Sequence, residues 1–378
     1  MIICSTEKCT GCMACMNICP RGAIKVGLDS SFKTIPVVDE SICTECDLCR
    51  KICPEVNSSK YNEGYEFYAA WKKEGLDTTH CASGAVSAAL CEYIIENGGV
   101  VFGAGYKDGK VCQIAVKDKE TAELIKGSKY VQSDTGNSYK EAKTLLDEGK
   151  TVLYTGTPCI IAGLKSFLRK DYENLITADI VCHGAPPQKF LDDYITELNL
   201  PEKHTAIRFR GDEDYFFTVY NGDKILFKEN AVTNLYYRAY YNKILMRDNC
   251  YNCRYATDKN RPGDISLGDF WGINKETLPK DATGKISLVI INTKKGEALF
   301  EKAQIPSQRR EAKEAVNGNA QLKAPCPESG ERTLFLDSYG AGFKKAVNKT
   351  SVRKNIRTNK RNLIVQRFKS LVKKVLKV

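Results

Sequence analysis

Cysteines recur in this chain at two identical spacings: Cys9, Cys12, Cys15 and Cys19-Pro20, then Cys43, Cys46, Cys49 and Cys53-Pro54. No other feature constrains the fold as tightly. Three thiolates at intervals of three residues wrap one face of an iron–sulfur cubane, and the fourth, closed by a proline, reaches the other cluster. The spacing therefore predicts two [4Fe-4S] clusters with exchanged fourth ligands. Cys9, Cys12 and Cys15 would share one with Cys53; Cys43, Cys46 and Cys49 would share the other with Cys19. Proline has no N–H to continue the local turn, so it directs the chain away.

The runs "CTGCMACMNICPRGAI" and "CTECDLCRKICPEVNS" are also an internal repeat, which predicts a small pseudo-symmetric, ferredoxin-like module over residues 1–57. In a module this short, clusters take the place of a hydrophobic core. A disulfide framework would need a secreted chain, and the N-terminus shows no charged stretch followed by an apolar run. Structural zinc rarely takes four cysteines from one such run. Seventeen cysteines without a visible leader point to a reducing, cytoplasmic setting and to metal chemistry.

The remainder of the 378 residues is ample for a large core, at an ordinary 42% hydrophobic and 27% charged, and no stretch reaches the ~18 apolar residues of a membrane span. The net charge of +11 is concentrated at one end. Residues 341–378 hold thirteen Lys and Arg and no Asp or Glu, so the rest of the chain sits near −2.

Past the cysteine runs, the pattern alternates helix and strand. Helices are expected over 83–96 (stopped by Asn97-Gly98-Gly99), 119–126 (capped by Asp118), 139–148 and from Pro158 to about Arg169 behind Thr157. Strands are expected at 100–102, 111–116, 151–154 and 175–181. This alternation predicts an α/β domain with a partly parallel sheet. Segments 207–209, 216–220 and 224–227 read as antiparallel strands and 287–292 as another buried one. The fold class is thus α+β/α/β, a two-[4Fe-4S] module followed by a mixed-sheet domain.

Four further cysteines stand where chemistry would use them. Cys159 lies in the first turn of a predicted helix, where the positive helix end favours thiolate. Cys182, in "CHGAPP", follows an apolar strand, and ligands bind beyond strand carboxyl ends in open α/β sheets. Cys250 and Cys253 form a C-x₂-C pair for which zinc is a rival. Cys159 or Cys182 alone reads equally well as a small buried hydrophobe; together the four supply the thiolates of a third cluster.

The stretches "KGSKYVQSD", "LYTGTPCIIAGLKSFL", "DIVCHGAPP", "CYNCRYA" and "DISLGDFWG" resemble, in order, the signature segments of the coenzyme F420 hydrogenase/dehydrogenase beta-subunit family over residues 65–335, with an N-part to 150 and a C-part from 151. The resemblance implies an α/β domain carrying FAD beside a [4Fe-4S] cluster, with Cys159, Cys182, Cys250 and Cys253 as its ligands. No G-x-G-x-x-G follows the first strands, which excludes a Rossmann dinucleotide site. Gly127-Ser128-Lys129-Tyr130-Val131-Gln132-Ser133 offers a cation and hydroxyls to a diphosphate or a flavin edge, and the helix start Ser83-Gly84-Ala85 offers backbone N–H groups. Cofactor-binding candidates are therefore Ser83, Gly84, Ser128, Lys129, Tyr130, Gln132 and Ser133. Asp264 and Asp269 stand where they could orient a cofactor or cap a strand. His183 is the candidate proton donor, with a structural imidazole as its equal rival.

The resemblance implies a converter between one-electron carriers and a two-electron flavin reaction, fed by a ferredoxin or similar redox protein. The small-molecule substrate implied is coenzyme F420 or, by likeness to bacterial members with fused ferredoxin modules, a sugar-linked compound of surface-polysaccharide synthesis. The rival class is an electron-transfer adaptor with no substrate site. In the basic tail, Leu363, Ile364, Phe368, Leu371, Val372, Val375 and Leu376 share a helical stripe among lysines and arginines, the pattern of a membrane-surface helix or of one docked on the protein. Nucleic acid is disfavoured, since charge alone would carry it.

Overall fold

The structure, a computed structural model, describes residues 1–210 and 215–375, with side chains through 363 and at 365. In the cysteine-rich segment the sequence repeat is a structural one. The short helices Ala14–Ile18 and Leu48–Lys51 carry Cys15 and Cys49, and each is entered through a left-handed residue at the same place in the repeat, Met13 (φ 57°) and Asp47 (φ 60°). Between them an antiparallel hairpin pairs β1 (Ile24–Leu28) with β2 (Thr34–Val38). The buried interior is mostly thiol: Ile3 and Ile24 pack with Cys15, Cys49 and Cys53.

Among the described residues, the strands that follow are β3 (Glu66–Ala70), β4 (Val100–Lys107), β5 (Lys110–Val116), β6 (Val152–Gly156), β7 (Leu175–Ile180), β8 (Ala206–Arg208), β9 (Phe216–Asn221), β10 (Lys224–Asn230), β11 (Ile265–Asp269), β12 (Ser287–Ile291) and β13 (Ser307–Arg310). Eight of them form a mixed sheet in the order β13-β3-β12-β11-β7-β6-β4-β5, and β8 to β10 form a separate antiparallel sheet. Strands β4, β6, β7 and β11 are parallel neighbours at the centre, and antiparallel strands complete both flanks. The expected parallel core is present, and the mixing arises where β12 and β13 return beside β11 and β3.

The expected helices occur at Val86–Glu96, Lys119–Ala122, Ser138–Asp147 and Pro158–Leu168. Asp118 caps through its carboxylate, which accepts from the Thr121 amide at 2.8 Å. The 119–126 helix breaks after one turn into a 3₁₀ turn at Glu123–Ile125. Helices Val86–Glu96 and Lys294–Lys302 cover one face of the sheet with Leu90, Ile94, Leu299 and Phe300. Helices Ser138–Asp147 and Pro158–Leu168 cover the other with Tyr139, Ile161 and Leu164. A third, aromatic core holds the small sheet and the C-terminal helices together through Phe190, Tyr194, Phe217 and Tyr236.

The basic segment from residue 341 begins docked on the protein, one of the two alternatives weighed for the tail. Phe343, Ala346, Val347 and Val352 are buried in the aromatic core, because apolar residues at helical spacing find a partner there. The final helix, Val352–Val375, is tied down where the Asn359 amide donates to the Val232 carbonyl at 2.7 Å. Most of the predicted amphipathic stripe, from Ile364 onward, falls outside the described side chains. No helix among the described residues is long and apolar enough to cross a membrane.

Candidate functional site

Two cavities open in the cysteine-rich segment, and the exchanged spacing appears in their linings. One is lined by Cys43, Cys46, Cys49 and Cys19 with Pro20. The other is lined by Cys9, Cys12, Cys15 and Cys53 with Pro54. The first is the outer set, since Cys46 is exposed and Cys43 half-exposed; the second is buried. They adjoin through Cys15, Cys49 and Cys53, which pack together. The inner cavity holds a fifth thiol, Cys4, which the spacing argument passed over. Hydrogen bonding from Cys4 draws the Cys9 thiol down to about 7, helped by the Gly11 amide and the charges of Lys33 and Arg247.

Cys159 and Cys182 lie just beyond the carboxyl ends of adjacent parallel strands, β6 and β7. The sheet thus delivers two distant cysteines to one edge, the place where open α/β sheets bind ligands. Cys250 and Cys253 come from the loop before β11. Its arginine, Arg261, is fully buried and ion-paired with Asp179 of β7, and it donates to the Tyr255 carbonyl at 3.0 Å and the Ile180 carbonyl at 2.9 Å. That ion pair fixes the C-x₂-C loop over the strand end. Cys159 and Cys253 pack around Tyr255. Gly184 (φ +97°) backs onto Cys250, where a Cβ would lie 2.7 Å from the Met246 sulfur. The four thiols are close enough to repel as thiolates: burial pushes Cys182 up, with Cys250 and Cys159 adding to it, and likewise Cys253, with Cys159 and Cys250 adding. The helix start does not make Cys159 a ready thiolate, contrary to expectation. Burial outweighs the helix end and raises it, against the pull of Arg247 and of the Thr157 hydroxyl 3.2 Å away. Among the described residues no three His, Cys, Asp or Glu side chains close on a point suited to one metal ion.

The inner cavity and these four cysteines are neighbours. Gly163, in the helix that begins beside Cys159, packs on Cys12 so tightly that a Cβ would come within 2.8 Å of the Cys12 Cβ. From the other side, Arg254 donates to the Pro54 carbonyl at 3.2 Å, and the Tyr255 hydroxyl donates to Glu55 at 3.2 Å. The "CYNCRYA" loop therefore clamps the end of the second cysteine run.

Beyond Cys182 lies a buried cluster of tyrosines and charged side chains, the tyrosine site. Tyr130 stacks on Tyr240 (centroids 4.8 Å apart, planes at 30°), and the Tyr240 hydroxyl donates to the Gly184 carbonyl at 3.4 Å. Arg210 pairs with Asp269 at 3.0 Å, at the carboxyl end of β11, and covers the Tyr215 ring. Among the described residues, two buried polar atoms here have no partner: the Tyr237 hydroxyl and Arg210 Nε. Buried polar groups are ordinarily bonded, so such a pair is a place where a bound ligand could supply acceptors. Stacked phenols and unpaired donors suit a planar, acceptor-rich ring such as a flavin. His183 stands at the edge, pushed down to about 4 by burial and by Lys243, so it is neutral at ordinary pH and can exchange a hydrogen bond but carries no charge.

The predicted flavin residues divide. The loops carrying Ser83 and Lys129 are brought together: Gly127 backs onto the His80 carbonyl, and Lys126 pairs with Asp77 at 3.1 Å. Burial pushes the Lys129 amine down to about 7, with Arg208 adding to it. Half-buried Ser128 lies beside it, while the Ser83 hydroxyl donates to the Ile286 carbonyl at 3.3 Å and Gly84 backs onto β3 and β12. Tyr130 is in the tyrosine site. Gln132 and Ser133 turn inward: the Gln132 amide donates to the Gly11 carbonyl at 3.2 Å, and the Ser133 hydroxyl accepts from Gln113 at 3.1 Å. Of the two aspartates, Asp269 is at the site. Asp264 is spent on structure, accepting from the Thr177 amide (2.7 Å) and hydroxyl (2.6 Å) and from the Thr293 hydroxyl (2.8 Å). Sequence reading missed Arg247, Arg210, Tyr237 and Cys4; an arginine three residues before the C-x₂-C pair was the one signal available.

A family model for the 4Fe-4S dicluster domain matches residues 8–57, and one for the C terminus of the coenzyme F420 hydrogenase/dehydrogenase beta subunit matches residues 149–316. The chain is 27% identical over 205 residues to a coenzyme F420-dependent sulfite reductase of Methanocaldococcus jannaschii, a match that covers 52% of this chain and 31% of that protein, so this chain spans under a third of that relative. Ferredoxin-3 of Chlorobaculum tepidum is 46% identical over 55 residues, 13% of this chain and 81% of that one. A chain of the F420-reducing [NiFe] hydrogenase complex from Methanosarcina barkeri superposes with a TM-score of 0.46 at 16% identity, covering 75% of this chain and 96% of that chain.

Proposed function

Because the chain belongs to the coenzyme F420 hydrogenase/dehydrogenase beta-subunit family and carries a 4Fe-4S dicluster domain, we propose that it is an iron–sulfur flavoprotein oxidoreductase coupling a one-electron protein carrier to two-electron chemistry on a small molecule. In this reading residues 1–57 form the electron-entry module and 65–335 the flavin and cluster domain. Clusters pass electrons singly, and a flavin gathers two of them for hydride chemistry.

The observation that carries the reading is serial placement. The outer set reaches the surface at Cys46, the inner set adjoins it, and Gly163 and the Cys250–Cys253 loop join the inner set to Cys159 and Cys182. Cys182 then runs through His183 and Gly184 to the tyrosine site. Segment 127–133 touches both ends of this series, holding the Gly11 loop through Gln132 and forming the tyrosine site through Tyr130.

The protein's own groups have separable roles. The outer and inner cysteines hold the two ferredoxin-type clusters, and Cys159, Cys182, Cys250 and Cys253 hold a third. Ser83, Gly84, Ser128 and Lys129 receive the flavin phosphates, with the N-terminus of helix Val86–Glu96 behind them. Arg210, Tyr237 and Tyr130 orient the ring, and neutral His183 shares a hydrogen bond with the reacting ring or substrate. A redox protein such as a ferredoxin docks near Cys46. Coenzyme F420 is the first substrate to try, since a relative's name includes it. Anaerobic purification with flavin and iron quantification tests this reading: bound flavin and iron beyond two clusters support it. Iron for two clusters with no flavin favours the adaptor.

A further inference from the structure

Four arginines are buried among the described residues: Arg210, Arg247, Arg261 and Arg332. Three pair with carboxylates, on Asp269, Asp179 and Asp248 respectively. Arg247, only 2% exposed, forms no such pair among the described residues. A buried charge without an opposite charge is costly, so its counter-charge must come from another source.

Its surroundings name that source. The Arg247 guanidinium donates to the Thr10 carbonyl, between Cys9 and Cys12 of the inner set. Through Nε it donates to the Ala185 carbonyl at 3.0 Å, three residues past Cys182. It also lies within hydrogen-bond reach of the Cys159 thiol. Its backbone carbonyl accepts from the Cys250 amide at 2.8 Å, as part of the helix start that carries Cys250. One planar fork thus touches the loops of two cysteine sets.

We propose that Arg247 is the counter-charge shared by the inner cysteine set and the Cys159–Cys182–Cys250–Cys253 set, a positioning residue that holds the two in register and biases both toward their reduced states. The inference rests on the reading that the second set binds a cluster. A fixed positive charge in a poorly screened interior favours the form carrying one more electron, and so raises the potential of a site beside it. Among the described residues no hydrogen bond joins Arg247 to the outer set, which serves as an internal control.

The test is an EPR-monitored redox titration with dithionite of the full chain, purified anaerobically, as parent, Arg247→Gln and Arg247→Lys. In Arg247→Gln the reduction equilibria of the inner and third sites should fall at least tenfold, about 59 mV for a one-electron couple, with the outer site unmoved. Arg247→Lys keeps the charge and should hold both potentials within that interval of the parent. Unmoved potentials in Arg247→Gln with full iron content would overturn the proposal. So would a fall in Arg247→Lys as large as in Arg247→Gln, because shape and not charge would then matter. Should Arg247→Gln fail to retain iron, the lysine variant decides alone: parent-like potentials support the proposal and lowered ones reject it. Iron for only two clusters in the parent would instead sink the third site itself, whereas full iron with unmoved potentials sinks only the role of Arg247.

Discussion

Within the first 57 residues, eight cysteines reach two cavities from two short runs, whereas Cys159, Cys182, Cys250 and Cys253 come from distant segments and meet only where β6 and β7 end side by side. The local sets need almost no scaffold, and their interior is largely the thiols themselves. The dispersed set needs a sheet, a buried ion pair and two close-packed glycines before its cysteines are neighbours. In the first region bound metal would make the fold; in the second the fold brings the cysteines together.

Metal removal separates the two most sharply. Stripping iron with a chelator and an oxidant should open residues 1–57 to limited proteolysis, because binding energy there is folding energy, while the sheet stays protected. Equal protection of both regions would erase the contrast. Next comes Asp179→Ala, which leaves the Arg261 charge buried and unpaired. It should cost about 3–5 kcal/mol in chemical denaturation and lower iron content at the dispersed set before the runs lose theirs. A smaller effect is expected from Gly163→Ala, whose Cβ meets Cys12: a loss of about 1–3 kcal/mol, with an altered EPR line shape of the inner site alone. Smallest is Tyr237→Phe. Removing an unpartnered buried hydroxyl should leave stability within about 1 kcal/mol while weakening flavin retention roughly 5- to 10-fold, as measured by equilibrium dialysis. Unchanged retention would remove the phenol from the flavin site.

What the sequence made legible follows the same division. The exchanged spacing was readable because cluster chemistry writes itself into local sequence, and the cavity linings group the same cysteines, with Cys4 added to the inner one. The parallel centre of the sheet was readable from apolar strands between helices. The strands β3 and β13 escaped notice, because they are short and take their place from non-local pairing. Arg247, Arg210 and Tyr237 had no local signal, since their roles follow from which loops lie beside them. The bond from the Gln132 amide to the Gly11 carbonyl had no local signal for the same reason: it depends on which loop lies beside a polar segment. The tail was read from its charge, and the burial of Phe343 and Val352 was decided by an aromatic core built elsewhere.

The central claim is that a third cluster and a flavin stand in line behind the two ferredoxin-type sets. Anaerobic reconstitution of the full chain with iron, sulfide and flavin, followed by metal and flavin quantification, tests it directly. Three clusters and one flavin per chain are predicted, with iron for one cluster lost in Cys182→Ala and the other two retained. Iron for two clusters, zinc at Cys250 and Cys253, and no flavin would contradict the account.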